Sequence, residues 1–148
     1  MALLTRALVA FCALPGMVAF AVPVAIGWRS PVRAPRLALV PLALGTLLLL
    51  ACVREFYVAG RGTLAPWAPP QQLVTSGPYR FSRNPMYLGV LTILAGWCVL
   101  WDSPPLLGYA LLLAIGFHLR VLIAEEPWAA GRFGEEWRRY RARVRRWL

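Results

Sequence analysis

The sequence has no lysine, few acidic residues and only three cysteines. Its sixteen basic residues are all arginine, against six Asp and Glu, which gives a formal net charge of +10. Cys12, Cys52 and Cys98 each lie alone in an apolar stretch. No pair has the spacing of a metal site, and an odd number argues against a complete disulfide framework. We therefore expect no metal ion. Charged residues make up only 15% of the chain and hydrophobic residues 59%, a balance outside the soluble globular class.

Four stretches without charged residues divide the chain: Ala7 to Trp28, Leu37 to Val53, Asn84 to Trp101 and Ser103 to Leu119. Each approaches the ~20 apolar residues with which a helix crosses a ~30 Å hydrocarbon core. A helix is also the open-ended structure that satisfies its own backbone there. The sequence predicts an all-α integral membrane bundle with about four transmembrane helices. A cleaved signal peptide is the alternative for the first stretch, which is long for one.

The stretches carry further local signals. Pro15, Pro23 and Pro41 lie inside the first two, and we expect each to kink its helix. Only residues 102–105 separate the third stretch from the fourth, which predicts a tight antiparallel hairpin. Gly89 and Gly96, on the third, either permit close helix packing or leave room for a ligand.

The arginines indicate an orientation. With four spans, thirteen of the sixteen lie on the side of both termini, and only Arg29, Arg33 and Arg36 lie on the other. The positive-inside rule makes the arginine-rich side cytosolic, so we expect both termini in the cytosol and a bacterial inner membrane. The chain would be one membrane domain: two helices in residues 1–59, a cytosolic loop at 60–84, and a catalytic hairpin with a C-terminal helix at 85–148.

Two polar segments should meet at the cytosolic face, because the third and fourth stretches form a hairpin. One runs from Ser76 to Gly89, and the other runs from His118 to Glu126. His118 and Glu125 are seven residues apart, which puts both on one face of a helix. Ionisable residues at this depth favour a functional site. In the alternative interpretation, His118 bonds a neighbouring helix and the glutamates face water.

The C-terminal segment has the pattern of an amphipathic helix, with an aromatic stripe at helical spacing and arginines at the remaining positions. The stripe consists of Phe133, Trp137, Tyr140, Val144 and Trp147. Such a helix suits the lipid headgroup layer, or it folds back over the site as a lid. RNA binding to its basic face is a further alternative, but we expect no nucleic acid as a partner.

Four motifs follow one another within residues 72–148. They are Gly77-Pro78-Tyr79-Arg80, Arg83-Asn84-Pro85-Met86-Tyr87-Leu88-Gly89, Glu125-Glu126, and Phe133-Gly134-Glu135-Glu136-Trp137-Arg138-Arg139-Tyr140, which continues through Arg143-Val144-Arg145-Arg146-Trp147. In this order and spacing they resemble the isoprenylcysteine carboxyl methyltransferase and phospholipid methyltransferase superfamily. The family usually has His at the position of Asn84, and Asn can exchange hydrogen bonds but cannot titrate.

The resemblance implies S-adenosylmethionine bound at the cytosolic face, between the last two helices and the C-terminal segment. The implied acceptor is a lipid-like or small hydrophobic carboxylate, amine or thiol. The candidate cofactor-binding residues are Tyr79, Arg83, Asn84, Tyr87, Glu125 and Glu126, with His118 added from its spacing. The candidate catalytic residues are Arg83, Asn84 and Arg120, of which Arg120, like His118, is added from its spacing. The alternatives are a non-catalytic or degenerate membrane protein and a nicotinamide-dependent membrane reductase.

Overall fold

The computed structural model describes residues 12–61 and 70–148. Helices make up 78% of these residues, and no strand occurs among them, so the predicted all-α class is confirmed. Residues 1–11 and 62–69 lie outside the described residues. The choice between a helix and a signal peptide for the first stretch falls partly on them and stays a prediction.

The helices, labelled in chain order within the described ranges, follow the predicted stretches. α1 is a π-helical stretch, Cys12–Ala21, continued by α-helical residues Val22–Gly27. α2 is Pro35–Val58, α3 is Pro85–Trp101, and α4 is Pro104–Arg120. A π-helical stretch, Val121–Glu125, joins α4 to α5, Glu126–Arg143. A 3₁₀ turn, Gly77–Arg80, lies in the loop before α3.

Prolines open three of these helices. Pro35, Pro85 and Pro104 each occupy the first position, where the missing N–H would have no partner in any case. Pro41, in contrast, lies inside α2, which continues through it without ending. The predicted hairpin between α3 and α4 is confirmed, and Asp102 turns the chain in a left-handed conformation with φ 43°.

α1 is anchored to α3 and α4 through its backbone carbonyls. The Trp97 indole nitrogen donates to the Ala19 carbonyl at 2.8 Å, and the Tyr109 hydroxyl donates to the Val18 carbonyl at 3.0 Å. Backbone groups in an apolar environment need such partners, because no water replaces them. These bonds place one wall of the cavity described below.

Glycines allow α2 and α3 to approach each other closely. A Cβ atom added at Gly45 would lie 2.7 Å from the Gly89 carbonyl oxygen, and one at Gly89 would lie 3.1 Å from the Gly45 carbonyl oxygen. A Cβ at Gly96 would lie 2.7 Å from Leu42 Cγ. The packing interpretation of Gly89 and Gly96 is therefore confirmed. The face of α3 that carries them is filled by α2.

Two described helices are long and apolar enough to cross a membrane. They are α2 and the continuous helix Pro104–Arg143, while Pro15–Gly27 and α3 are apolar but shorter. Large apolar side chains on the outer faces of these helices are exposed, among them Leu37 on α2 and Leu112 on α4. Exposed apolar surface of this extent is typical of contact with lipid. The prediction of four spans stays a prediction.

The C-terminal helix ends earlier than predicted. It begins at Glu126 and ends at Arg143, and Gly134 interrupts it with φ 52° and ψ −117°. The predicted continuation through Trp147 is wrong, because Val144 is extended and the chain beyond it bonds to the loop before α3. The aromatic stripe packs inward against Leu73, which favours the lid over a helix lying in the headgroup layer.

The contact between α2 and α3 can be tested by adding one methyl group. We expect Gly45→Ala to destabilise the protein by about 1–3 kcal/mol, since the new Cβ would meet backbone atoms of α3. Gly116→Ala on α4 is the matched control, because nothing lies within 4 Å of its added Cβ. That change should be neutral or stabilising by up to about 1 kcal/mol. Thermal unfolding in one detergent compares them, and equal stability of the two variants would contradict the close contact.

Candidate active site

A cavity of about 690 Å³ lies where the loop before α3 meets α1, α3, α4 and α5. This volume is within the ~300–1,000 Å³ typical of small-molecule sites. Two apolar clusters contribute to its wall. One lies among the helices and contributes Val18, Met86, Val90 and Phe117. The other lies under α5 and contributes Leu73, Ala129, Phe133, Trp137 and Tyr140.

The structure brings seven of the eight predicted site residues to this cavity. They are Tyr79, Arg83, Asn84, Tyr87, Arg120, Glu125 and Glu126. They reach it from three places along the chain: the loop before α3, the first turn of α3, and the junction of α4 with α5. The predicted convergence of the two polar segments is therefore present in the fold.

His118 is the exception, and its predicted place beside Glu125 is wrong. It is exposed, lies outside the cavity, and its Nδ1 accepts a hydrogen bond from the Trp147 indole nitrogen at 3.2 Å. The cause is the π-helical stretch between them, where bonds run from i to i+5 and the α-helical register shifts. Arg120, five residues before Glu125, shares its face instead and bonds it at 2.8 Å.

Tyr87, Glu125 and Arg120 form a chain from the buried cavity wall to the surface. The Tyr87 hydroxyl donates to Glu125 Oε1, and the Arg120 Nε–H donates to the same oxygen. Tyr87 is 8% exposed and stacks on Phe117 with ring centroids 4.3 Å apart. The side chains of Glu125 and Arg120 are 36% and 59% exposed. Both donors use Oε1, and no donor among residues 12–61 and 70–148 binds Oε2, so this oxygen could accept a hydrogen bond from a ligand.

Glu126 lies between two arginines in a buried cluster. Arg146 binds both of its oxygens, with Nε 2.7 Å from Oε1 and Nη2 3.1 Å from Oε2. Arg83 Nη1 is 3.0 Å from Oε1. Burial by itself raises the pKa of the Glu126 carboxyl, but the Arg146 hydrogen bond and the charges of Arg83 and Arg146 outweigh it and hold the pKa below its usual value. Glu126 is therefore an anion at neutral pH.

Arg83 is buried without satisfying its hydrogen-bonding capacity. Its side chain is 7% exposed and lies over the Trp137 ring, with Cζ 5.6 Å from the ring centroid. Its Nε and Nη1 have no hydrogen-bond partner among the described residues. Nη1 is close to Glu126, but the N–H does not point at the carboxylate oxygen. Burial lowers the pKa of Arg83, and Glu126 opposes this effect. Buried arginine nitrogens without partners are costly, which indicates a place for an anionic group.

Asn84 binds the C-terminal segment rather than another side chain of the cavity. Its Nδ2 donates to the Arg146 carbonyl at 2.9 Å, and the Ser82 hydroxyl donates to the same oxygen at 3.2 Å. The Arg83 N–H donates to the Arg145 carbonyl at 2.9 Å. Three consecutive loop residues thus hold residues 145–146 in place. Holding this segment requires a hydrogen-bond donor at residue 84 and does not require a side chain that titrates.

Tyr79 and Tyr140 join the loop to its neighbours. Tyr79 packs on Phe56 of α2 with ring centroids 5.5 Å apart, and its carbonyl accepts the Tyr140 hydroxyl at 2.8 Å. Burial raises the pKa of Tyr79 well above its usual value and that of Tyr140 to about 12. Both phenols therefore remain neutral and serve as hydrogen-bond donors, not as bases.

The sequence prediction missed further residues at the site, among them Trp137, Tyr140 and Arg146. Trp137 and Tyr140 line the cavity, and the aromatic stripe with its lid interpretation already indicated them. Arg146 is one of a run of C-terminal arginines, and its sequence context does not distinguish it from Arg145 beside it. Only the fold shows that one of these side chains turns inward to Glu126.

Comparison with known proteins agrees with the motifs. The family model described as phospholipid methyltransferase matches residues 36–136, about two thirds of the chain. An uncharacterized protein of Haemophilus influenzae is 41% identical over 64 residues, which are 43% of this chain and 100% of that protein. No solved structure matches the chain.

The buried cluster predicts a strong effect of removing the Glu126 charge. Glu126→Gln should cost about 3–5 kcal/mol, because it leaves buried arginines without their anion. Glu135→Gln is the control, since this carboxylate is 61% exposed and its ion pairs with Arg138 and Arg139 should contribute only about 0–1 kcal/mol. Thermal unfolding in detergent at pH 7 measures both, and equal losses would contradict the buried pair.

The same cluster predicts a pH dependence. The pKa of Glu126 is lowered by folding from its ordinary 4.5, so its contribution is complete above that pH and is lost as the pH falls through the folded-state value. The difference in stability between the native protein and Glu126→Gln should be largest at neutral pH and should shrink below about pH 4.5. A difference that stays constant on acidification would show that the Glu126 charge is not what stabilises the fold.

Proposed function

This chain belongs to the phospholipid methyltransferase family, and from that premise we propose that it transfers a methyl group from S-adenosylmethionine to a lipophilic acceptor at the cytosolic membrane face. Family membership and two long apolar helices indicate a membrane protein. The carboxylates, arginines and aromatic rings of the cavity are suited to such a cofactor, as the following contacts argue.

The buried guanidinium of Arg83, two of whose nitrogens lack hydrogen bonds within the described part of the chain, is the observation on which the proposal rests. Its Nε and Nη1 make no hydrogen bond to the described residues, although Nη1 lies 3.0 Å from Glu126 Oε1 and the side chain is only 7% exposed and lines the cavity. The cofactor has one carboxylate, and a guanidinium binds a carboxylate through two parallel hydrogen bonds. Arg83 would hold that group, and the Trp137 ring beneath it would fix the plane of the guanidinium.

Glu125 would hold a hydrogen-bond donor or a positively charged group of the cofactor. Its Oε1 accepts the Tyr87 and Arg120 hydrogen bonds, which fixes the carboxylate, and its Oε2 accepts no hydrogen bond from the described residues. Glu125 itself lines the cavity. A fixed carboxylate oxygen can accept a hydrogen bond from a ribose hydroxyl or an ammonium group. Arg83 and Glu125 would thus bind opposite charges of one ligand.

The apolar cluster among the helices suits the acceptor. Val18, Val90 and Phe117 line this part of the cavity and are side chains of apolar helices. When bound, the cofactor supplies a methyl group activated on a sulfonium. The protein then needs mainly to align the acceptor with that group and to exclude water. A lipid-like or small hydrophobic carboxylate, amine or thiol fits this wall.

The arrangement in the membrane is part of the proposal. α1 to α4 would each span the bilayer, with both termini and the cavity on the cytosolic side of a bacterial inner membrane. The support is the excess of arginine on that side. α5 would lie over the cavity mouth, since Trp137 and Tyr140 are buried against the protein and the remaining face carries exposed arginines.

Cofactor binding tests this proposal directly. We expect detergent-purified protein to bind S-adenosylmethionine and S-adenosylhomocysteine in calorimetry. Arg83→Met and Glu125→Gln should each weaken binding roughly 10- to 150-fold, as expected for a lost hydrogen bond to a charged group worth about 1.5–3 kcal/mol. Arg80→Met and Glu136→Gln are the matched controls, because both side chains are exposed and lie outside the cavity.

Four outcomes would count against the proposal. A native protein that binds no adenosyl ligand would favour a non-catalytic membrane protein. A native protein that binds NADPH instead would favour a reductase. Equal weakening in the matched controls would mean that overall charge, not the cavity, governs binding. Binding that persists in both site variants would remove Arg83 and Glu125 from the site.

A further inference from the structure

We propose that Arg146 is a positioning residue that holds Glu126 so that Arg83 stays available to the carboxylate of the bound ligand. The inference rests on the proposed function, because it assumes an adenosyl amino acid in the cavity. Arg146 itself does not line the cavity and would act only through Glu126 and Arg83.

The geometry of Glu126 separates the two arginines by role. Arg146 approaches with a fork, at 2.7 Å to Oε1 and 3.1 Å to Oε2, so it uses both carboxylate oxygens. Arg83 approaches Oε1 at 3.0 Å, but its N–H does not point at the oxygen. Bidentate pairs fix both distance and plane. Glu126 is therefore fixed by two hydrogen bonds from Arg146, whereas Arg83 forms an ion pair with it and no hydrogen bond.

The charges of the cluster explain why the position of Glu126 matters for binding an anionic ligand. Arg83 and Arg146 together exceed the charge of Glu126 by +1, in a place where the three side chains are 7%, 29% and 10% exposed. Arg141 adds to the positive potential at Arg83 and Glu126, so a further carboxylate would be attracted there. If Arg146 were absent, Glu126 could rotate onto Arg83 and form the bidentate pair there. The two open nitrogens would then be used internally, and the site would lose its attraction for an anionic group.

Arg146 is placed by the same loop that carries Arg83. The Arg83 N–H binds the Arg145 carbonyl at 2.9 Å, and the Asn84 amide binds the Arg146 carbonyl at 2.9 Å. The guanidinium of Arg146 then turns back to Glu126 at the start of α5. Docking of the C-terminal segment and availability of Arg83 are thus coupled through adjacent residues.

The test compares two ligands that differ in the amino-acid portion. S-adenosylhomocysteine carries this portion with its carboxylate and ammonium groups, and 5′-methylthioadenosine lacks both groups. We expect Arg146→Gln to weaken binding of the first by about tenfold or more and to change the second by less than about twofold, which is a loss of about 1.4 kcal/mol for the amino-acid portion that carries the carboxylate. Arg145→Gln is the matched control, because its side chain is exposed while its carbonyl still receives the Arg83 N–H.

A second variant distinguishes positioning from a structural role. Arg146→Gln combined with Glu126→Gln removes the competing carboxylate as well, so Arg83 is free again and the preference for S-adenosylhomocysteine should return. If Arg146→Gln does not fold, Arg146→Lys replaces it. A lysine keeps the charge without the fork, and the carboxylate preference should fall partway.

The outcomes that overturn the inference are distinct from failure of the proposed function. Equal weakening of both ligands in Arg146→Gln, or no recovery in the double variant, shows that Arg146 only stabilises the fold. Equal affinity of the native protein for the two ligands shows that no arginine receives the carboxylate, although cofactor binding itself would stand. A native protein that binds neither ligand overturns the proposed function and this inference with it.

Discussion

The burial of Glu126 between Arg83 and Arg146 is the constraint on which the site depends. Removing each ion from water costs several kcal/mol, and the cluster persists only if its members are held in good geometry. Here three separate segments contribute: the loop before α3, the first residue of α5 and the C-terminal segment. Backbone bonds from Arg83, and side-chain bonds from Ser82 and Asn84, fix the last segment to the first. The ion cluster and these bonds therefore stabilise one another, and together they close one end of the cavity.

The other end depends on close packing between helices. Gly89, Ile93 and Gly96 lie on one face of α3 and contact α2, where added Cβ atoms would meet backbone. Tyr87 and Val90 point to the cavity. Division of one helix into a packed face and a cavity face explains how a short chain can enclose a large site. Small residues on one face of α3 let it pack closely on α2, and the longer side chains on its other face are then available to surround a ligand.

The helices were predictable because their signals are local, whereas the contacts of the site are not. Uncharged runs and opening prolines place α2, α3 and α4 within a few residues of their bounds. The helical pattern after Phe133 predicted too long a helix, because the carbonyls of residues 145 and 146 bond the loop, a competition that periodicity cannot reveal. His118 was misplaced because periodicity assumes an α-helical register, and the π-helical stretch before Glu125 breaks it. Six of the seven predicted residues that line the cavity come from the motifs, whose order in the chain reflects which segments the fold brings together, and their role there stays a prediction.

The contacts of Asn84 indicate what the replacement of the usual family histidine changes at this position. A histidine at this position could donate to a carbonyl or move a proton, and an asparagine can only exchange hydrogen bonds. In this chain the Asn84 amide donates to the Arg146 carbonyl, so the position serves to hold the C-terminal segment. Methyl transfer to a carboxylate or a free amine requires no base, and to a protonated acceptor it requires one. Of the two glutamates at the cavity, Glu126 binds Arg146 through both oxygens, whereas Glu125 accepts hydrogen bonds from the described part of the chain through Oε1 alone. The asparagine at residue 84 is therefore compatible with the proposed methyl transfer to a carboxylate or a free amine.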